Sequence, residues 1–167
     1  TNTSAESGPN YSCLYTQPNP VWYYLKILDP GNITIDINSP TGNDVDFTCW
    51  GPFNSPTGAC TAQLTAACSS CPNNTSDPNF YPSGNTVDCS YDPAPSEICH
   101  ISNAQTGQYY LLCITNYSNA AGNITFTQSN TNEPGHGTTD CSIVTPCEIT
   151  GMTASPSACN SSTNTYS

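Results

Sequence analysis

The chain contains no Arg and a single Lys, Lys26, against twelve acidic residues, for a formal charge of −11. That absence removes whole classes of function. Nothing in the sequence can neutralise a phosphate backbone, so nucleic acid is not an expected partner. Stabilisation of an oxyanion or a transferring phosphoryl group lacks its usual cations, and a trypsin-like protease finds almost no cleavage site. Long apolar runs are missing too: no segment approaches the ~18 residues of a membrane-spanning helix, and none reads as a secretory leader. The expectation is a mature, processed, secreted segment, extracellular or on a cell surface. Hydrophobic residues make up only 35% with Tyr and Cys counted, so the core must be thin.

Cysteine, by contrast, is abundant. Eleven are present, at Cys13, Cys49, Cys60, Cys68, Cys71, Cys89, Cys99, Cys113, Cys141, Cys147 and Cys159. In an oxidising compartment they act as staples, and each bridge adds ~2–4 kcal/mol by restricting the unfolded chain. Zinc thiolates are the competing reading for the C-x-x-C pair Cys68 and Cys71. The sequence has only two His, however, and no second pair at finger or ribbon spacing, so disulfides are preferred. The odd count leaves one thiol unpaired or bonded to another chain.

Fifteen Pro and eleven Gly interrupt the chain too often for long helices, and β-branched and aromatic residues cluster between them. Residues 1–20 are polar and aperiodic and read as an arm. Strands are expected at "VWYYLKIL" from Val21, "ITIDIN" from Ile33, "VDFTCW" from Val45, "TVDCSY" from Thr86, "EICHIS" from Glu97, "QYYLLCITNYS" from Gln108 and "GNITFTQ" from Gly122. The clearest alternation sets Ile33, Ile35 and Ile37 on one face against Thr34, Asp36 and Asn38 on the other. Residues 54–85 read as a long loop pinned by cysteines, and 129–167 as a polar C-terminal segment with a weak strand near Cys147. The expected architecture is an all-β, disulfide-rich, two-sheet β-sandwich over residues 21–128, jelly-roll-like because closure leaves fewer raw edges.

Few residues carry chemistry. His100 lies in an expected strand and His136 in the loop "PGHG", and neither neighbours a nucleophile signature, so the chain is read as a non-enzyme. Asp44 and Asp46 offer the hard oxygens that Ca²⁺ takes, but Asp and Asn also build turns by bonding their own backbone, which is the preferred reading. Trp22, Tyr23, Tyr24, Trp50, Phe53, Tyr109 and Tyr110 have faces that stack on sugars, yet inside strands such residues are more often core. Trp50 is expected to cover a disulfide beside Cys49. Sequons at Asn2, Asn10, Asn32, Asn73, Asn74, Asn116, Asn123 and Asn160 make a glycan coat an expectation.

At "PNPVWYYLKILDPGNITIDI", "DVDFTCWGPF" and "TVDCSYDPAPSEICHISNAQTGQYYLLCITNYSNAAGNITFTQ" the sequence resembles a domain of very large secreted Bacteroidota proteins, found beside gliding-motility or adhesin modules. Through its aromatic opening strand, D-x-D-aromatic turn and late G-x-Y-Y strand, that domain resembles the pre-peptidase C-terminal β-sandwich. The likeness covers about residues 13–128. It implies a jelly-roll-like sandwich, export by a type IX route, and adhesion or structure rather than catalysis. Cys68, Cys71 and Cys113 depart from the pattern. Relatives carry a further strand upstream of a segment like "SAESGPNYSC", while "CEITGMTASPSACNSSTNTYS" resembles the start of a following Ig-like module. A sandwich with a vacant edge and a spare strand is expected to join copies of itself head to tail into a fibre, through residues 1–20 or 141–167. The alternative is a carbohydrate- or protein-binding accessory module of a larger secreted protein.

Overall fold

The computed structural model describes residues 3–5, 11–58, 64 and 84–142, and the backbone of 165–166. Cys60, Cys68, Cys71, Cys147 and Cys159, and the sequons at Asn2, Asn10, Asn73, Asn74 and Asn160, lie outside the described residues, as does most of the loop 54–85.

The strands are β1 (Val21–Asp29), β2 (Gly31–Asn38), β3 (Val45–Phe53), β4 (Thr86–Ser90), β5 (Ser96–Ala104), β6 (Tyr109–Asn116), β7 (Thr125–Gln128), β8 (Thr138–Thr139) and β9 (Thr165–Tyr166). They form a five-stranded sheet in the order β4-β3-β6-β1-β8 and a four-stranded sheet in the order β5-β2-β7-β9, each antiparallel throughout. The expected all-β sandwich is the fold found. Pairing of β1 with β8, β2 with β7 and β3 with β6 is nested, as in a ribbon rolled on itself, which is the jelly-roll feature of the topology.

Between the sheets lies the main core. Alternation along β2 sends Ile33, Ile35 and Ile37 inward, where they meet Leu25 and Ile27 of β1, Val45, Phe47 and Cys49 of β3, and Leu112 and Ile114 of β6. The opposite face of the five-stranded sheet is also apolar. Trp22 and Tyr24, Trp50, Leu111 and Cys113 point outward there, and Tyr11, Cys13, Leu14 and Leu64 cover them as a second core. Trp22 stacks on Trp50 with centroids 5.7 Å apart, and Tyr11 touches both.

The disulfide Cys13–Cys89 fastens this cover to β4, bridging 76 residues of sequence. Trp50 belongs to the same second core as this disulfide, whereas Cys49 beside it faces the inner core, because neighbouring strand residues point to opposite faces. The boundaries expected at 21 and 128 mark the first strand and the end of the seventh, and packing continues past both. Residues 3–5 fold back along 17–19, with Ala5 N–H donating to Gln17 O at 3.2 Å and Asn19 N–H to Thr3 O at 2.7 Å.

Because β7 has four residues, the first half of β2 must satisfy its ladder groups elsewhere. The buried Asn130 does this: its Oδ1 accepts Thr34 N–H at 3.1 Å and its Nδ2 donates to Asn32 O at 2.8 Å. The loop before β8 presses on Gly31, whose φ of +148° and approach to Gly135 O leave no room for a Cβ. Lys26 of β1 meets Asp140 at 2.8 Å, tying down the chain after β8.

Replacing Cys13 or Cys89 by Ser is expected to lower unfolding stability by ~4 kcal/mol, given the length of the closed loop. Trp22 and Trp50 report the uncovering, so denaturant melts followed by Trp fluorescence should show an earlier midpoint and a red-shifted folded baseline. An unchanged midpoint would mean that the cover is held without the bond.

Candidate functional site

One end of the sandwich gathers the carboxylates Asp44, Asp46, Asp88 and Glu97, and the Lys26–Asp140 ion pair is not among them. Asp46, the second residue of β3, is 1% exposed and its Oδ2 has no hydrogen-bond partner among the described residues. Burial pushes its pKa up to about 8, with further repulsion from Asp44, Glu97 and Asp92. Asp44, two residues earlier, is partly covered and raised by the same desolvation, which the Ala94 N–H opposes. Its Oδ1 accepts from Ala94 at 3.2 Å, and its own amide donates to Ser118 Oγ at 2.7 Å, so it tethers two loops.

Asp88 and Glu97 sit nearby on the two edge strands that face each other, β4 and β5. Asp88 is opposite Cys49 in the β3–β4 ladder, yet its carboxylate crosses to the other sheet, accepting the His100 N–H with Oδ2 and its neighbour Cys89 N–H at 2.7 Å with Oδ1. Burial raises Asp88 to about 8 against those two N–H groups, and raises Glu97, whose Oε1 has no hydrogen-bond partner among the described residues, to about 7. This seam joins the sheets along one side and occupies an N–H that an edge strand would otherwise expose.

Over Asp46 lies a tyrosine strip. Tyr15 from the arm, Tyr91 after β4 and Tyr117 after β6 meet edge to face, with centroids 5.6 Å and 5.5 Å apart. Thr16 Oγ1 and Tyr91 Oη are 3.1 Å apart, and the Tyr91 phenol is raised mainly by burial, with Asp46 a lesser contributor. Tyr15 is 75% exposed and Tyr117 47%, so the strip reaches solvent while Asp46 stays buried. Sequence reasoning missed it. The available signal was three tyrosines set in polar turns, "LYTQP", "SYDPA" and "NYSNA", rather than in strands.

Of the aromatics singled out from sequence, Trp50, Phe53 and Tyr110 are buried, while Trp22, Tyr23, Tyr24 and Tyr109 are half-buried against the two cores. Asp44 and Asp46 are brought together at one end. The buried, unpartnered Oδ2 of Asp46 suits a cation, but among the described residues no group of three or more His, Cys, Asp or Glu converges as a metal site. His100 is exposed on β5, and His136 places Nδ1 2.7 Å from Glu133 O in its loop. Among the sequons, Asn123 is exposed, Asn32 is exposed with its Oδ1 accepting Asn103 N–H, and Asn116 is buried with its Nδ2 donating to Ala120 O. No protein-family model, no curated protein and no solved structure matches the chain.

The raised carboxylates set a pH dependence. Asp46 and Asp88 near 8 and Glu97 near 7 hold protons in the fold that the unfolded chain releases near pH 4, so their stabilisation is complete below about pH 4 and is lost as pH rises to about 8. Asp140, held at about 2 mainly by its hydrogen bond from Lys26, acts oppositely, its contribution vanishing as pH falls towards 2. Calorimetry should find Tm ~5 °C or more higher at pH 5 than at pH 8.5, and Asp46→Asn should flatten that slope. A Tm that climbs between pH 5 and 8.5 would contradict it.

Proposed function

We propose that the protein is a structural subunit of an extracellular fibre or adhesive filament, in which the C-terminal strand of one copy completes the four-stranded sheet of the next. The observation that carries this reading is the edge of β7. It receives β9 through two residue pairs only, Phe126 with Tyr166 and Thr127 with Thr165, so an extended C-terminal segment is the partner that this edge accepts. The same pairing between copies uses the same groups, and a head-to-tail contact of that kind propagates without closing. An oxidising exterior fits the cysteine content, and the sequons at Asn32 and Asn123 have exposed side chains for a glycan coat. The resemblance read from the sequence motifs implies the same role.

Light scattering and negative-stain microscopy of the full chain should show polymers that lengthen with concentration. A chain lacking residues 160–167 should stay monomeric and should bind a synthetic 160–167 peptide. Monomers at every concentration, or polymers unaffected by the deletion, would end the proposal.

The tyrosine strip favours a second reading, a carbohydrate-binding accessory module. Its exposed Tyr15 and Tyr117 rings match the C–H faces of sugars, and the partly exposed Asp44 and Asp92 accept hydrogen bonds from hydroxyl groups. Calcium held by Asp44 and Asp46 belongs to this reading, as a counter-charge for the orphan Asp46 oxygen. On this view a monomer binds glycans saturably on an array, Tyr91→Ala removes most of that binding, and millimolar calcium raises Tm at pH 8.5 while a chelator reverses it. An array without signal, and a Tm indifferent to calcium, would leave the strip and the carboxylates as packing.

A further inference from the structure

Cys49 and Cys99 occupy facing sheets. Cys49 is in the middle of β3 and Cys99 in the middle of β5; both side chains are fully buried, and both belong to the core between the sheets. The two strands approach each other across the core, both cysteines are free thiols within it, and Cys49 adds to the burial that raises Cys99. Their alignment has a structural cause independent of that approach. Asp88 pairs with Cys49 across the β3–β4 ladder, and its carboxylate takes the N–H of His100, the residue next to Cys99. One side chain therefore sets β5 at the height of β3, so that the inward-pointing residues beside it meet. Leu112, next to Cys49 on β6, and Ile35, next to Cys99 on β2, surround the pair with apolar groups.

We propose that Cys49 and Cys99 form a disulfide that links the two sheets through the core. The pairing itself needs only an oxidising environment, and to that extent it rests on the extracellular reading above. The oxidant is an external disulfide. A thiolate of the pair attacks one sulfur of that disulfide, forming a mixed disulfide and releasing one thiolate. The second protein thiol, losing its proton to solvent, then attacks the mixed disulfide and releases the other. Two S–H bonds and the external S–S bond break, one protein S–S bond and two small thiols form, and two electrons pass to the external disulfide. In the closed sandwich the Cys99 thiol is held well above its ordinary range by burial, and no solvent-borne disulfide reaches it. Oxidation accordingly precedes closure of the sheets, and the finished bond is shielded from reductant.

The test uses the full chain, reduced, unfolded and refolded with a mixture of oxidised and reduced glutathione. It is then denatured, alkylated and digested with pepsin, since the single Lys makes trypsin useless. The expected result is a linked peptide pair containing Cys49 and Cys99, with alkylation lost from both. A matching refold of Cys49→Ala should leave Cys99 alkylated, and because the wild-type map is itself decisive, failure of the variant to fold does no harm. In folded wild type, millimolar reductant should release neither thiol until denaturant is added. Recovery of both thiols alkylated after oxidative refolding, or either one linked to another cysteine, would overturn the pairing. Native material with every cysteine reduced would instead sink the extracellular reading and leave the in-vitro pairing standing.

Discussion

The five-stranded sheet is apolar on both faces, and only one of them has the other sheet to lie against. Everything at the N-terminal end follows from the need to cover the second. Trp22, Trp50 and Leu111 would otherwise form an exposed patch of the size that draws proteins into aggregates. The segment that brings Tyr11 and Leu14 over this face, beside Leu64, is short and has little reason to stay in place through hydrophobic contact alone. The bond from Cys13 to Cys89 localises it. That placement sets the positions of the next two residues as well, Tyr15 against Tyr91 and Thr16 against its hydroxyl. The surface strip is thus a by-product of shielding the sheet.

Electrostatics is the second constraint. With Lys26 committed to Asp140, the chain has no other basic side chain for its buried acids, and such groups are usually paired with one. Asp88 is accommodated by backbone N–H groups from both sheets, while Glu97 and Asp46 each remain short of a partner on one oxygen among the described residues. Protonation is the simplest remedy, and the raised values of all three groups express it. The seam thereby joins the sheets without an ion pair, and it holds the strands that carry Cys49 and Cys99 in register.

Much of the fold was legible in residue order. Period-two alternation in "ITIDIN" placed Ile33, Ile35 and Ile37 inward, and the Pro and Gly punctuation separated the strands. "VWYYLKIL" reads only as a strand with aromatics that are more often core; that Trp22 and Tyr24, on the face opposite Leu25 and Ile27, lie under a separate cover of Tyr11 and Leu14 has no local signal. The acid seam was hidden for a physical reason: Asp88 and Glu97 look like unrelated solvent-facing residues until β4 and β5 are assigned to different sheets and brought edge to edge. Asp44 and Asp46 were visible because they stand two residues apart where β3 begins. The tyrosines were not, because Tyr15, Tyr91 and Tyr117 converge from three distant turns, and sequence proximity carries no trace of that.

This same construction leaves the three turns independent of the layers beneath. Tyr15, Tyr91 and Tyr117 project from connections held at their bases, the first two by the disulfide that joins Cys13 to β4 and the third by the end of β6. A lineage can therefore rewrite the side chains of this outer rim, one connection at a time, while the buried lattice below stays untouched. Diversity in what is touched would then coexist with constancy in how the unit is built.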